Sequence, residues 1–540
     1  MSWESISSRD YLGGSASHQL SATALLGSPD GSRHPLDVCE SRRQFRLRSP
    51  VLVLVLVFVL PDDRPADSSL FSHPRASPRQ RATSSPFQVE QGLKLYRAHK
   101  QQAAVRKWRG ALKNIRQRED KFTLLGYLYQ AYMDWGKYRD SIDFGHKQLC
   151  ISEELDSPNM RAEAYLNLAR AHERLGALDR ALDYARHSLY NECDQCATAG
   201  LVHLTVGRVH LELAGFCKAL EAFQRAHKIA HSIQDPSLEL QVYVGLSELF
   251  CRLHDADKSA RYATRAYDLS RSLQLGDLNS RHHRAALLQM AAALRKKGEL
   301  GDAHDYCSEA TRLSLVSGDQ ASYARSIRIM GDIYRKKSDI NKAFRQYESA
   351  MGSAAATGDR LCQMEAMDGA ARCLEALRLQ HKICNCRPLE FNTRLLEVAG
   401  SVGAKFLVRT VRSRLSRIYG SLGDEEQKLH HERLATAMEE DLELRCGSCN
   451  DPFGLEADSL EALPCSHILH ARCAYDILKR RDKKKKRLCP DCHKSVSSRL
   501  YLHCEDPHGM NTLNHSSLSL ASLKASSLAT LEDCHATSSV

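Results

Sequence analysis

The sequence predicts a mainly α chain, a superhelix of stacked helical pairs followed by a small module folded around two zinc ions. Three observations carry this prediction: an apolar content dominated by alanine and leucine, a small-residue signature that recurs about every 40 residues, and eight cysteines and histidines at metal-ligand spacing near the C-terminus. Hydrophobic residues make up 43% of the 540 positions but aromatics only 6%, a balance that favours packed helices over sheets. A chain of this length holds several domains.

Residues 1–86 are rich in Ser, Arg, Pro and Gly and read as a disordered extension of uncertain role. Inside it, the apolar run Val51–Leu60 follows Arg42, Arg43, Arg46 and Arg48 and looks like the flank and core of a secretory signal. It lies far from Met1, however, and is shorter than the roughly 20 apolar residues that a membrane span needs. A stray apolar stretch or a mispredicted first exon accounts for it better than a working signal, with an internal anchor as the remaining alternative.

From residue 87 to 423 the composition changes to long amphipathic helices. The signature appears as Leu125-Gly126, Leu168-Ala169, Val206-Gly207, Leu246-Ser247, Met290-Ala291, Met330-Gly331, Asp368-Gly369 and Leu415-Ser416. Each belongs to the first helix of a pair, where a small side chain lets the second helix approach. An aromatic or histidine follows about one turn later (Tyr129, His172, His210, Tyr334), then a turn such as Trp135-Gly136 or Leu422-Gly423. A second helix comes next, carrying an alanine and an aromatic, such as Ala219 and Phe223 or Ala343 and Tyr347. This is tetratricopeptide-repeat grammar, and about seven repeats are expected, with a helix around Glu90–Asn114 starting an eighth or capping the array. The intervals between signatures are 43, 38, 40, 44, 40, 38 and 47 residues, longer than the usual 34, so extended helices or longer turns are expected. Such a stack offers a concave face to peptides or helices. Around Cys384-Asn-Cys-Arg-Pro388 the pattern is irregular, and the proline is expected to break a regular second helix.

Residues 424–445 carry Leu429, Leu434, Ala437, Leu442 and Leu444 at helical spacing among many charges and form either a helical arm, a short coiled coil, or a capping helix. Residues 446–493 then show the spacing Cys-x2-Cys-x15-Cys-x-His-x2-His-x2-Cys-x15-Cys-x2-Cys. This is the pattern of a cross-braced RING-H2 zinc finger. Cys446, Cys449, His470 and Cys473 are expected to hold one Zn2+, and Cys465, His467, Cys489 and Cys492 the other. With four protein ligands each and no open position, both ions are structural. Residues 494–540 read as a disordered tail.

Of the 19 cysteines, six belong to this pattern and the rest show no framework of disulfide spacings, which points to a reducing compartment. The net charge of +11 is spread along the chain with no groove-reading motif, so nucleic acid is not expected as a partner. No phosphate loop or nucleophile elbow is present, and no catalytic residue is assigned. Enzymatic activity would come only through the RING, by holding a ubiquitin-conjugating enzyme. Pro490 in the second knuckle and a small core around Ile468 and Leu469 favour that; Ser448 and His493, at positions that usually contact the conjugating enzyme and ubiquitin, weigh against it. The run Lys483–Arg487 reads as a solvated loop, or alternatively as a contact for acidic headgroups or partner tails. The last four residues, Thr537–Val540, match a PDZ ligand by no more than their length of four allows.

The repeat array, the helical segment and the RING-H2 segment Ala462-Leu-Pro-Cys-Ser-His-Ile-Leu-His-Ala-Arg-Cys473, in that order, resemble the rapsyn family. Glu90-Gln-Gly-Leu-Lys-Leu-Tyr96 and Ala164-Tyr-Leu-Asn-Leu-Ala-Arg170 are further local matches, and the resemblance spans about residues 88–493. It implies a cytoplasmic scaffold peripheral to the postsynaptic membrane of the neuromuscular junction and associated with the cytoskeleton. Its repeats would self-associate, and the helical segment within Asp424–Leu444 would contact cytoplasmic segments of the nicotinic acetylcholine receptor. The RING would engage dystroglycan and possess, as the alternative reading, E3 ubiquitin ligase activity with the repeats selecting substrate. The family begins Met-Gly, the acceptor for N-myristoylation, whereas here Ser2 follows Met1, so no lipid anchor is assigned.

Overall fold

The computed structural model describes residues 85–191, 196–272, 281–440, 442, 444–453, 459–479 and 487–500. The chain divides into two units, Met1–Pro50 and Val51–Val540, and all described residues belong to the second. The run Val51–Leu60, all four lysines of Lys483–Arg487 and the four C-terminal residues lie outside the described residues.

Helices account for most of the described chain. They are α1 (Ser85–Arg97), α2 (Gln101–Leu112), α3 (Arg118–Asp134), α4 (Tyr138–Glu154), α5 (Pro158–Arg174), α6 (Leu178–Asn191), α7 (Ala197–Glu212), α8 (Phe216–Ile233), α9 (Pro236–Arg252) and α10 (Ala256–Ser272). The series continues with α11 (Arg281–Lys297), α12 (Leu300–Ser317), α13 (Gln320–Lys336), α14 (Ile340–Thr357), α15 (Arg360–Leu379), α16 (Cys386–Val402), α17 (Lys405–Leu422) and α18 (Glu425–Glu440). Each odd-numbered helix packs on the next in sequence, so these eighteen form nine hairpins stacked in chain order among the described residues. Most of the helices are 16 to 18 residues long and the turns within pairs are short, so the long period comes from lengthened helices.

The small-residue signature works by close approach. A Cβ on Gly207 would stand 2.5 Å from the Phe223 ring, and one on Gly369 would stand 2.1 Å from the Tyr347 ring, so α7–α8 and α14–α15 pack through their glycines. Where the signature residue is Ser247, the hydroxyl donates to Ser259 O at 2.7 Å, and the Ser259 hydroxyl returns a bond to Ser247 O at 2.9 Å. The alanines expected on the second helices, Ala181, Ala219 and Ala343, are fully buried.

Two local expectations change. Glu90–Asn114 is not one helix: the chain turns at Ala98–Lys100, with His99 left-handed at φ 58°, and makes the hairpin α1–α2. Its signature residue is Gly92, where a Cβ would meet the Trp108 indole at 2.2 Å. Pro388 does not break a helix either. It occupies the first turn of α16, where no backbone donor is required, and it is buried there.

Hairpins distant in sequence also meet. Tyr138 OH donates to Asp359 Oδ2 at 3.3 Å, Arg281 pairs with Asp134 at 3.0 Å, and the Gln101 amide donates to Ser317 O at 2.8 Å. Leu178 and Val209 share an apolar cluster with Leu361, Val402 and Val411. Ion pairs accompany these contacts, among them the buried Arg284–Asp319 at 2.8 Å and the half-buried Arg252–Glu212 at 2.6 Å. The segment after Asp424 forms α18, which lies along α17 with His431 stacked on Tyr419 at 5.5 Å.

Candidate metal centre

Past α18 the chain enters two turns of the same construction. In the first, the Cys446 N–H donates to Asp451 O at 3.0 Å and the Asn450 N–H to Cys446 O at 2.8 Å. In the second, the Cys489 N–H donates to Lys494 O at 2.9 Å and the His493 N–H to Cys489 O at 3.0 Å. Each turn closes on a left-handed residue, Asn450 at φ 61° and His493 at φ 56°, a conformation that Asn and His adopt more readily than most side chains. The repeated geometry presents both cysteines of each knuckle toward one point.

Between the knuckles lie β1 (Leu460–Ala462), β2 (Ile468–His470) and α19 (Ala471–Lys479). The strands pair antiparallel in the register Leu460↔His470, Glu461↔Leu469, Ala462↔Ile468. Their connecting turn carries Cys465 and His467, the end of β2 carries His470, and the first turn of α19 carries Cys473. A core of Leu463, Leu469, Ala474, Ile477 and Val496 packs beneath them together with Cys446 and Cys489. The module continues past His493, since Val496 is buried in that core and the Leu500 N–H donates to Ala462 O at 2.8 Å.

All eight residues singled out by spacing meet in two groups. Cys446, Cys449, His470 and Cys473 form one; Cys465, His467, Cys489 and Cys492 form the other, and within each the donor atoms lie within 4.8 Å of one another. A tetrahedral ion with bonds of about 2.3 Å to sulfur needs ligand separations of about 3.8 Å, so either group can hold one.

The electrostatics also fit a cation. Burial opposes ionisation of Cys446, yet the backbone N–H groups of Cys449, His470 and Ser448 outweigh it and hold this thiol below its ordinary value. Cys492 is lowered mainly by the Lys494 N–H. The remaining thiols are pushed up, Cys449 and Cys489 to about 12, by burial and by thiols beside them. Each group thus has one thiol lowered and the others raised by burial and by neighbouring thiols, and a central cation would favour the ionised form of them all. Nδ1 of His467 is buried with no hydrogen-bond partner, as expected of a nitrogen reserved for a metal. A third set of acids, Glu212, Glu248 and Glu365, already has its cation: Arg252 reaches them at 2.6, 2.7 and 3.7 Å.

Residues outside the spacing pattern anchor the module to the repeats. Asp255 caps α10 by accepting the Lys258 N–H through Oδ1 at 2.9 Å, and its Oδ2 accepts the Leu460 N–H of β1 at 2.9 Å. Lys258 pairs with Glu461 at 3.2 Å, both side chains less than a tenth exposed, and the Ser466 hydroxyl donates to Gln224 Oε1 at 3.1 Å. Leu442, Leu460, Ala462 and Ile468 join the apolar cluster of α8–α10 that includes Phe250 and Tyr262. Ile468, expected in the module's own core beside Leu469, therefore faces the repeats, because neighbours on a strand point to opposite faces. Asp255, ahead of α10, carries a helix-cap signal in the sequence, but nothing local ties it to β1.

Against known proteins, residues 79–159 match the family model described as the rapsyn N-terminal myristoylation and linker region. The chain is 31% identical over 410 residues to the 43 kDa receptor-associated protein of the synapse from Tetronarce californica, covering 76% of this chain and 96% of that relative. The Gallus gallus protein of the same name is 30% identical over 409 residues, 75% of this chain and 96% of the relative. Among solved structures, a Rap protein complexed with competence and sporulation factor aligns with a TM-score of 0.47 and 14% identity over 66% of this chain and 98% of that one. On the two synaptic relatives, matched over almost their whole length, the chain belongs to the rapsyn family of 43 kDa receptor-associated proteins of the synapse.

Proposed function

We propose that this chain is a cytoplasmic scaffold, peripheral to the postsynaptic membrane, that binds and clusters nicotinic acetylcholine receptors and links them to the cytoskeleton through dystroglycan. The observation that carries this reading is the match over 96% of relatives named as receptor-associated proteins of the synapse. No helix among the described residues is long and apolar enough to cross a membrane. The repeats supply self-association and receptor contact, and many weak contacts held in one array raise effective concentration without any tight single site. The two Cys/His groups hold two structural Zn2+ ions, which shape the terminal module into a binding surface. The test is direct: the purified full chain, passed over immobilised cytoplasmic segments of the receptor, is retained if the reading holds and runs through unretarded if it does not.

A second reading, RING-type ubiquitin ligation, is favoured by one feature. Tyr475 on α19 is 49% exposed and with Leu478 lines a groove that includes Arg487 and Arg499. Incubation with ubiquitin, activating enzyme and a panel of conjugating enzymes decides it, with chain formation expected from this reading and none from the scaffold alone.

A further inference from the structure

The irregular segment before α16 brings two thiols together at the surface. Cys384 and Cys386 are both exposed, and their Sγ atoms stand 2.6 Å apart, approaching the roughly 2.0 Å of a disulfide bond. They flank Asn385, which caps α16 with φ −69° and ψ −25°, so the thiols sit where the helix begins and its N–H groups are still unpaired. Downstream the helix is held firmly. Pro388 is buried, Asn392 donates back to Pro388 O at 2.8 Å, and Leu395, Ala399 and Val402 enter the cluster shared with Leu178 and Val209. Upstream, α15 has ended at Leu379. The pair therefore occupies an accessible connection anchored on both sides.

We propose that Cys384 and Cys386 are a reactive dithiol that closes an intramolecular disulfide by exchange with a low-molecular-weight disulfide of the glutathione type. Cys384 attacks first. Its thiolate is favoured by the Cys386 side chain and then by the Arg387 N–H, which hold this thiol below its ordinary value, whereas Cys386 is pushed up by its neighbour. The Cys384 sulfur bonds to one glutathione sulfur as the glutathione S–S bond breaks, and one glutathione thiolate leaves and takes up a proton. Cys386, losing its proton to solvent, then attacks the Cys384 sulfur and displaces the second glutathione thiolate. The dithiol is oxidised by two electrons and glutathione disulfide is reduced to two thiols.

Other cysteines outside the zinc module differ in kind. Cys307, Cys362 and Cys373 are buried, and burial pushes their thiols up to about 12. Cys150 is exposed with no second cysteine beside it in sequence. Among the described residues outside the terminal Cys/His module, Cys384 and Cys386 are the place where two exposed sulfurs stand this close, and reaction is directed there.

The experiment treats the zinc-loaded full chain with glutathione disulfide, quenches with iodoacetamide and maps tryptic peptides without reduction, reading the peptide of residues 383–394 that carries both thiols. The expected result is loss of two hydrogens from that peptide and no alkylation of it, ahead of any modification at Cys150. Cys386→Ser leaves one glutathione on Cys384, and Cys384→Ser slows reaction at this peptide about tenfold. Because both positions are exposed, both variants fold. Alkylation of both thiols after Cys150 has reacted overturns the proposal, as does a Cys386→Ser chain that carries no glutathione on Cys384.

Discussion

Asp332 shows how single side chains carry the charge held between the packed helices. Burial alone would raise its carboxyl, but Arg295 and Arg328 beside it outweigh burial and hold it at about 2, against 3.8 for the free group. It also accepts the Tyr347 hydroxyl at 2.6 Å. A carboxyl lowered in the folded state contributes stability that is complete above the free value and is lost as pH falls through the folded one. Asp332→Asn is thus expected to cost about 2 kcal/mol at pH 7, with the difference from the parent shrinking below pH 4 and vanishing near pH 2. Urea unfolding followed by helicity at several pH values measures it, and a difference independent of pH would contradict the assignment. At this scale the meeting of the eight cysteines and histidines in two groups was legible, because knuckle geometry is local and each knuckle is specified by four or five consecutive residues. The facing of Ile468 was not. A three-residue strand has too little alternation to show which side meets a core and which meets another part of the chain.

At the scale of elements, the β1–β2 edge against α8–α10 makes the terminal Cys/His module part of the repeat array rather than a tethered tail. Removing one partner of a buried ion pair leaves the other uncompensated, at a cost of about 3 kcal/mol, whereas replacing both with apolar residues of similar volume is close to neutral. Lys258→Ala is therefore expected to speed amide exchange across Leu460–His470 roughly a hundredfold, and Lys258→Met with Glu461→Leu to restore most of the protection. Equal exchange in all three chains would show that the pair does not hold the module. The hairpins themselves were legible from the small-residue signature, since glycine, alanine or serine at each crossing is what permits the helices to approach. The first hairpin was read as one helix although its own signal was present: Gly92 stands 34 residues before Gly126, the period of an ordinary repeat. The proline before α16 misled for a related reason, because without the helix start in view an N-terminal proline and a helix-breaking one look alike.

Across the whole molecule, zinc and repeats are expected to be separable in folding yet coupled in dynamics. Structural zinc supplies about 10 to 16 kcal/mol in small modules, so Cys465→Ala should unfold the terminal module and leave the repeats helical. Native mass spectrometry should find two zinc ions per parent chain and fewer in the variant, with far-UV circular dichroism little changed; a collapse of helicity throughout would contradict the separation. The contacts of Tyr138 with Asp359 and of Arg281 with Asp134 join residues more than a hundred positions apart. No periodicity in sequence encodes them, which is why the array was legible as a stack while the meeting of early and late hairpins was not. Under the proposed function, these long-range contacts and the docked module are the fixed surface from which the chain would gather receptors. The most direct test of that role is co-expression of the full chain with a nicotinic acetylcholine receptor in cells that lack a clustering protein, followed by imaging of surface receptor. The account predicts receptor gathered into clusters that coincide with the chain; receptor spread evenly over the surface beside well-expressed chain would contradict it.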